Sequence, residues 1–522
     1  MATAVIERRR LRSATAFGVP LAVAGLVTFL FVRLLPDVAG KPLHEDEAVA
    51  GLISARPLGD LLHTVVLDRG GAPLHFVLAH LTLAVDSSPE ALRWLSVVFA
   101  LATVPLCYDL GRRLGGQLGG LTAAALAATS QLLAIYGTFG RMYSLFAFAG
   151  ALAVDLFVRT VEERNRSTAV AAAAAALLPL AVHPFGAFLF GAELAVAAWL
   201  WRGRGVRNAL PVLGIASLAL PLLLIDLRLS GRYAPEAGND LVGGYSAVEA
   251  ALRALGGAAG GYGVVFGVFA VIAVVGAAEL MRRQPAMAAF AALAIVVPPL
   301  LLAVGAAAGA TADRLGPRHL IFTLPLWIGL IAVGVARIAL NVPPRARLAV
   351  PIAVVVAAVL APSAVSDPRT ISTGEQDALK PAAAWLSAHV SPGDVLYPYS
   401  PVSLAALPEA AAARSYSREP VALERMLQRT GEVGSVFVSL PLPGGIAPAI
   451  VQALRRSGVD AHELGSWLIL RDRGPFRSGR EALASTARML QEAGPPIAGT
   501  PVAHAYLLQL RGTACRTLSG DC

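Results

Sequence analysis

The sequence predicts a polytopic, all-α membrane protein that carries a smaller α/β domain at its C-terminal end. The 522 residues are 56% apolar and 15% charged, with a mean hydropathy of +0.64, too little polar surface for a soluble protein of this length. Apolar stretches of about 17–22 residues, the length that a bilayer requires, alternate with short charged loops. From residue 363 onwards the pattern changes to short, alternating helix-like and strand-like segments.

About eleven stretches have the length and apolarity of a membrane span. They are residues 14–35, 89–111, 117–136, 142–160, 168–183, 185–201, 208–227, 262–281, 286–306, 319–338 and 346–362. The first is predicted to be an uncleaved span, because no small-residue cleavage site follows it. The protein is therefore expected in the inner (plasma) membrane, with many passes.

The stretch 71–86, which contains His75 and His80, is apolar but short. If it does not cross, all the basic loops fall on one side, as the positive-inside rule requires. It is therefore predicted to be an interfacial or re-entrant helix. The first external loop is then 36–88, and the turns at 137–141, at His183 and at 307–318 face the same side.

Two domains follow from this topology: a membrane domain, residues 1–362, and an extracytoplasmic α/β domain, residues 363–522. Six segments of the second domain are predicted in alternation as helix or strand: "QDALKPAAAWLSAHV", "GDVLYPYS", "ALERMLQRT", "GSVFVSLPL", "GIAPAIVQALRRSG" and "GSWLILRD". Cys107 lies in an apolar run and is predicted to be buried. Cys515 and Cys522 are close enough in sequence for a local disulfide outside the cytoplasm, and their pairing stays open.

The net charge of +9 does not indicate a nucleic-acid partner. The arginines are dispersed at the ends of apolar runs instead of forming one basic patch. They are typical of topological anchors, so the bilayer is the expected partner.

The acidic motif "KPLHEDEAVAG" begins the first external loop. Acids at the start of the helix-like "DEAVAGLISA" would favour the positive end of its dipole, which explains one or two of Glu45, Asp46 and Glu47. Acids on the same face as external arginines and histidines can also act as a general base or bind a cation. The local sequence leaves the two interpretations balanced.

A second motif, "GTFGRMYSLF", places Arg141 and Tyr143 where an external turn enters a span. A snorkelling arginine with an interfacial tyrosine is the structural interpretation. A guanidinium at the membrane surface also suits a lipid phosphate, which it binds through paired hydrogen bonds.

Three further motifs lie on the same predicted face. "AVHPFGAF" contains His183 at a helix break, where a solvated histidine is the simpler interpretation. "ADRLGPRHLIFTLP" gathers Asp313, Arg314, Arg318 and His319, and its two external arginines favour a phosphate. "LDRGGAPLHFVLAH" contains Asp68, which can form an exposed pair with Arg69, and His75.

These motifs, in this order, resemble the GT-C superfamily of glycosyltransferases, in particular its family 39, PMT-like branch, to which the lipid A aminoarabinose transferases are related. Asp46-Glu47 matches the acidic pair of the first external loop, and "GAPLHFVLAH" a proline-containing segment after it. "EALRWLSVVFALATVPLCYDLGRRLGG" resembles the second span, "RMYSLF" the R-Y element and "RHLIFTLP" a late RY element. The matches cover about residues 40–330 and leave the tail uncovered.

The resemblance implies a GT-C fold and a mannosyltransferase-like enzyme that transfers a hexose or pentose with inversion. The donor would be a polyprenyl-phosphate sugar, and the acceptor an extracytoplasmic glycan, lipid or protein. It assigns Asp46 as general base, with Glu47 as a supporting acid. Arg141 and Arg318 would steady the lipid phosphate, and the substrate site would also include Tyr143, His319, His183, His75 and Asp68.

The chain departs from the resemblance at one point. Many relatives have an acid shortly before the arginine of the R-Y element, where this chain has Thr138, Phe139 and Gly140. The second acid is therefore either absent or supplied by Glu47, Asp68 or Asp313. Some relatives need a divalent ion and others do not, and no clear site supports one here, so neither a metal nor another cofactor is predicted.

Two other functions remain open from the sequence. A transporter or flippase for a lipid-linked saccharide would use the same phosphate-binding arginines, although the chain has no internal repeat and its acids lie on one face instead of at mid-membrane. The second alternative is a non-catalytic relative of the superfamily, in which the C-terminal tail recruits partners.

Overall fold

The computed structural model describes residues 2–40, 45–68, 72–86, 88–202, 213–230, 255–256, 260, 263–307, 317–361, 373–397, 414–415, 431–442, 448–465 and 467–518. The chain forms two compact units. The first contains residues 1–40 and 53–366, and the second contains 41–52 and 367–522. The acidic motif at the start of the first predicted external loop thus groups with the C-terminal residues.

The first unit is helical throughout its described length. With the short helix that carries the acidic motif, the α-helices from the N-terminus to residue 360 are α1 Ala2–Gly40, α2 Glu45–Ser54, α3 Leu58–His63, α4 Leu74–Val85, α5 Pro89–Thr129, α6 Gln131–Tyr136, α7 Tyr143–Glu163, α8 Arg166–Val182, α9 Gly186–Trp201, α10 Ala219–Ser230, α11 Val264–Arg283, α12 Pro285–Ala307, α13 Leu324–Leu340 and α14 Ala349–Leu360. A π-helical turn, Thr64–Asp68, follows α3, and a 3₁₀-helix, Pro317–Thr323, precedes α13.

Five described helices are long and apolar enough to cross a membrane: Gly18–Ala39, Glu90–Thr129, Tyr143–Glu163, Val264–Arg283 and Arg318–Leu340. Shorter apolar helices occupy Leu74–Val85, Arg166–Val182, Gly186–Trp201, Leu213–Ile225 and Pro285–Leu301. The prediction that the chain is a helical membrane protein is therefore confirmed. Helix α4 has 12 residues and reaches about 18 Å, which is shorter than the hydrocarbon core.

Helix α5 contains the predicted span 89–111 and most of the span 117–136, whose last six residues form α6. Its run of helical residues is divided at Gly116, where φ is +70°, a conformation that glycine adopts without a steric penalty. The two arms fold back on each other, because a Cβ built at Gly111 would lie 2.6 Å from the Gly119 carbonyl oxygen. Ser130 then caps α6 by accepting a hydrogen bond from the Leu133 amide.

Helix α13 lies at the centre of the first unit, with 89% of its apolar window buried. It belongs to one continuous apolar core, to which α1, α5, α7 and α11 also contribute side chains. This core fixes the direction of α7, whose first residue, Tyr143, is buried.

The second unit contains a five-stranded mixed sheet in the order β2-β1-β3-β5-β4. Its strands are β1 Val395–Tyr397, β2 Arg414–Ser415, β3 Val436–Pro441, β4 Asp460–Leu464 and β5 Trp467–Asp472. β1 pairs in parallel with β2 and β3, while β5 is antiparallel to β3 and β4. Its helices are α15 Thr373–His389, α16 Pro448–Arg456, α17 Gly479–Ile497 and α18 Pro501–Thr517.

Five of the six predicted tail segments coincide with a described element of the predicted type, and "ALERMLQRT" lies outside the described residues. The sequence analysis missed β4, "DAHEL", because a polar edge strand lacks the apolar run by which the other strands were found. Cys107 is buried with a free thiol, as predicted. Cys515 is disulfide-bonded, and Cys522 lies outside the described residues.

Candidate functional site

His183 occupies the break between α8 and α9. It caps α8 in an extended conformation, and its Nδ1 accepts a hydrogen bond of 3.1 Å from the Phe185 amide. The ring is 9% exposed and stacks on Phe146, with 5.1 Å between the centroids. The helix break is present where "HPFG" predicts it, but the side chain is buried instead of solvated.

The charge state of His183 follows from this burial. Burial, and then the charges of Arg141 and Arg318, lower the pKa of His183 to about 3. The ring is therefore neutral at physiological pH. Because Nδ1 accepts from a backbone amide, the proton is on Nε2, which is a hydrogen-bond donor.

Arg141 and Tyr143 lie where the turn after α6 enters α7. Ser96 holds this turn, since its hydroxyl donates to the Phe139 carbonyl oxygen at 2.7 Å. Tyr143 is buried and its ring lies 4.9 Å from that of Tyr136. The arginine thus leaves a turn that is anchored to α5 on one side and to an aromatic cluster on the other.

Arg318 and His319 come to the same place on the 3₁₀-helix Pro317–Thr323. This segment packs closely against α7 at Gly150, where a Cβ would lie 2.7 Å from the Phe322 carbonyl oxygen. As a result the Arg318 guanidinium carbon lies 5.8 Å from the centroid of the Tyr143 ring. The His319 ring lies 5.7 Å from that of His183.

His75 is the third histidine whose surroundings involve these arginines. It is 1% exposed on α4, and its Nε2 has no hydrogen-bond partner within the described part of the chain. Burial, and then the charge of Arg141, lower the pKa of His75 to about 3. One guanidinium therefore acts electrostatically on histidines from two different helices.

We call Arg141, Arg318, His75, His183, His319 and Tyr143 the arginine–histidine cluster. It combines guanidinium groups with neutral imidazoles on an aromatic base. Guanidinium forks and neutral N–H donors in a partly buried site are suited to an oxyanion, and phosphate in particular.

The predicted acids are carried by the short helix α2. Asp46 and Glu47 occupy the first turn of α2, as predicted, and belong to the second compact unit. Asp46 is half-buried and Glu47 is buried. Asp68 ends the π-helical turn, while His44, Asp313 and Arg314 lie outside the described residues.

Aromatic residues of the site were missed by the sequence analysis. Phe146 separates His183 from Phe322, whose ring centroid is 5.0 Å from its own, and Phe185 lies 5.4 Å from His319. Phenylalanine in apolar helices carries no signal that separates a site wall from ordinary core. Among the described residues no three His, Cys, Asp or Glu side chains converge as metal ligands would.

Comparison with models of known families and with curated proteins finds no match. Solved structures do match. The chain is similar to ArnT from Cupriavidus metallidurans in the apo state, with a TM-score of 0.56 and 14% identity, over 89% of this chain and 100% of the ArnT chain. The same enzyme bound to undecaprenyl phosphate gives a TM-score of 0.54 and 14% identity, over 88% and 99% of the two chains.

The similarity extends over the whole of ArnT and most of this chain, at a sequence identity that is informative about the fold alone. The predicted resemblance is confirmed as a likeness of fold. The chain therefore has the fold of ArnT.

Proposed function

We propose that the protein is an inverting membrane glycosyltransferase, which transfers a sugar from a polyprenyl-phosphate donor to an acceptor on the extracytoplasmic face. One observation carries the proposal: in a GT-C fold, Arg141, Arg318 and two buried, neutral histidines converge at the start of α7. The ArnT structure with undecaprenyl phosphate supports a lipid phosphate as the ligand of such a fold.

The proposed reaction needs no nucleotide. An acceptor hydroxyl attacks the anomeric carbon of the donor, its proton passes to the carboxylate of Asp46, and the bond from the anomeric carbon to the phosphate oxygen breaks. The electron pair of that bond leaves on the polyprenyl phosphate. The guanidinium groups of Arg141 and Arg318 stabilise the charge that develops there, while the Nε2–H of His183 supplies a neutral donor. The roles of Asp46 and Glu47 rest on the family resemblance.

We also propose the finer topology: about eleven spans, with the second unit outside the cytoplasm. The disulfide at Cys515 supports an extracytoplasmic position for the second unit, since disulfides persist in oxidising compartments. Residues 1–362 would then form the catalytic membrane domain, and 363–522 the extracytoplasmic domain.

The test is transfer of label from radiolabelled polyprenyl-phosphate sugars to a membrane lipid extract by the purified protein in detergent. Detergent removes the two compartments, so that a transporter or flippase gives no product. We expect Asp46→Asn to abolish transfer at an unchanged protein level, and Glu45→Gln, the neighbouring acid, to retain it. Normal transfer by Asp46→Asn would refute the assignment of the base, and no transfer from any donor would refute the function.

A further inference from the structure

A groove lies between α1 and α5. One wall is a stripe of α1, on which Val19, Val23 and Val27 follow at helical spacing. The other wall belongs to α5 and includes Tyr108 and Arg112. The groove has a volume of about 820 Å³ and is open along one side, and this volume is within the range of sites that bind small amphiphilic ligands.

The polar side chains of the groove gather at one end. Arg93, near the start of α5, donates to the Val38 carbonyl oxygen at 2.8 Å, so α1 and the first arm of α5 run antiparallel. Val19 is nineteen positions before Val38, and Arg112 is nineteen after Arg93, which places Val19 and Arg112 at the same level. Gln117, just beyond the bend of α5, lines the same end.

Gly120, on the second arm of α5, allows the polar wall to form. A Cβ built at Gly120 would lie 2.9 Å from a ring carbon of Tyr108 and 3.0 Å from the Cβ of Arg112. Both side chains therefore leave the first arm in close contact with the second. The base of the Arg112 side chain is held by the packing of the hairpin.

Arg112 is also the least neutralised arginine in its surroundings. Its Nε and Nη2 donate to one oxygen of Asp109, but Arg113 and Arg159 bind the same carboxylate, and each of them has a further carboxylate partner. In the described part of the chain, Asp109 is the one carboxylate within 4 Å of the Arg112 guanidinium, whose side chain is 44% exposed. One negative charge shared by three guanidinium groups leaves a positive field at Arg112.

Positive charge continues along α1 beyond the groove. Arg12 is seven positions before Val19 on this helix, or about 10 Å along its axis. The turns before it contain three further arginines, Arg8, Arg9 and Arg10. Clusters of basic residues beside the end of a span attract anionic lipids of the adjacent leaflet.

We propose that this groove binds a phospholipid with an anionic head group. The guanidinium of Arg112 and the side-chain amide of Gln117 donate hydrogen bonds to its phosphate, and one acyl chain lies along the α1 wall between Val19 and Val27. The site is separate from the arginine–histidine cluster. Arg113, the neighbour of Arg112, binds Glu162, which is nineteen positions after Tyr143 on α7, or about 28 Å along the helix axis.

Native mass spectrometry of the full-length protein in detergent tests the proposal, because it counts bound lipids one by one. The purified, delipidated protein is titrated with three probes. Phosphatidylglycerol has chains and a net negative charge, and phosphatidylcholine with the same chains has a phosphate whose charge is compensated. Glycerol phosphate has the anionic group without chains, and so distinguishes a lipid site from a site for a free phosphate.

We expect the first phosphatidylglycerol to bind at concentrations about tenfold below those of phosphatidylcholine, and glycerol phosphate not to bind in this range. Arg112→Gln removes the charge, so the preference should fall by about threefold or more while phosphatidylcholine binding is retained. Arg282→Gln, at an exposed arginine in the last turn of α11, should leave the preference unchanged. Ala24→Trp fills the groove and should weaken both lipids, whereas Ala22→Trp, at an exposed position of α1 outside the groove, should change neither.

Equal affinities for the two lipids would overturn the proposal, and so would binding of glycerol phosphate as tight as that of phosphatidylglycerol. A preference that Arg112→Gln leaves intact, or lipid binding that Ala24→Trp does not weaken, would have the same consequence. If Arg112→Gln does not fold, the comparison of Ala24→Trp with Ala22→Trp and of the three probes decides the question. Sugar transfer is not measured in this experiment, so its outcome is independent of the proposed function.

Discussion

The two ends of α7 use the same residue type in opposite ways. At its C-terminal end Arg159 and Arg113 form a network with carboxylates: Arg159 lies 2.9 Å from Asp155 and 2.8 Å from Asp109, and Arg113 lies 2.8 Å from Asp109 and 2.9 Å from Glu162. At its N-terminal end Arg318 lies over the Tyr143 ring, and burial, followed by the charges of Arg141 and Arg318, lowers the pKa of His183.

The two ends differ in the groups that are described around each guanidinium. A guanidinium that shares carboxylates with its neighbours has little attraction left for an added anion, and it ties helices together. A guanidinium whose positive field is felt by buried neutral imidazoles favours an incoming phosphate. The comparison therefore predicts that substitutions at the two ends affect different properties: transfer at the Tyr143 end and stability at the Glu163 end.

The largest effect is expected for Arg141→Lys, and likewise for Arg318→Lys. Lysine keeps the positive charge and loses the planar pair of donors. Removing one such donor from a developing oxyanion typically lowers the rate by about 100-fold or more. The initial rate of transfer per folded molecule measures this effect, with Arg282→Lys, in the last turn of α11, as the matched control. A rate within threefold of normal would show that the guanidinium fork is dispensable.

The second prediction concerns Arg113→Met. This change leaves the carboxylates of Asp109 and Glu162 without a shared cation, and Asp155, 1% exposed, loses one of its two arginine neighbours. Breaking a buried pair from one side costs about 3 kcal/mol. We expect a lower unfolding temperature in detergent and an unchanged rate of transfer per folded molecule. Arg112→Met, whose side chain is 44% exposed, should cost less than about 1 kcal/mol.

The third prediction is a pH dependence at the cluster. Because the pKa values of His75 and His183 are lowered to about 3, between pH 6.5 and pH 3 the unfolded chain binds protons that the folded protein does not. The contribution of these two histidines to the free energy of unfolding is therefore fully present above pH 6.5 and is lost as the pH decreases. The loss reaches about 2 kcal/mol for each histidine at pH 5.

Thermal unfolding at pH 7.5 and pH 5.0 measures this loss. His75→Gln and His183→Gln should each flatten the dependence, whereas His389→Gln, at an exposed position of the second unit, should leave it as it is. A dependence equally steep in all three variants would show that other groups are responsible.

The smallest effect is expected for Arg282→Ala. Its side chain is 73% exposed and lies 3.8 Å from Glu279, which Arg283 and Arg337 also approach. Exposed pairs of this kind contribute about 0–1 kcal/mol. The unfolding temperature and the transfer rate should both be unchanged within error, and a substantial fall in stability would mean that the network extends to this position.

Much of the fold was predictable, because the bilayer imposes a length and a composition on each helix. The predicted spans 142–160 and 262–281 correspond to α7 and α11, which begin one and two residues later, and the break at His183 coincides with "HPFG". The first predicted span, 14–35, is longer in the structure and lies within Ala2–Gly40. A helix can continue beyond the apolar run that signals it, since its backbone hydrogen bonds do not depend on apolar side chains.

The site was predictable only in its polar members. Arg141, Arg318 and His183 stand out from an apolar sequence because each is costly to place near lipid. Phe146 and Phe185 do not stand out. Their roles depend on which side chains face them, and helical spacing alone does not specify the neighbouring helix.

The sequence by itself determined that this chain is a helical membrane protein, which residues begin and end many of its helices, and which charged motifs are candidates for chemistry. These properties depend on local apolarity, proline, glycine and charge. The tertiary structure decided that Arg141, Arg318 and His183, from three separate segments of the chain, meet at one end of α7, and that His183 is buried and neutral. Contacts between residues far apart in the chain depend on how helices pack, and packing is a property of the whole core.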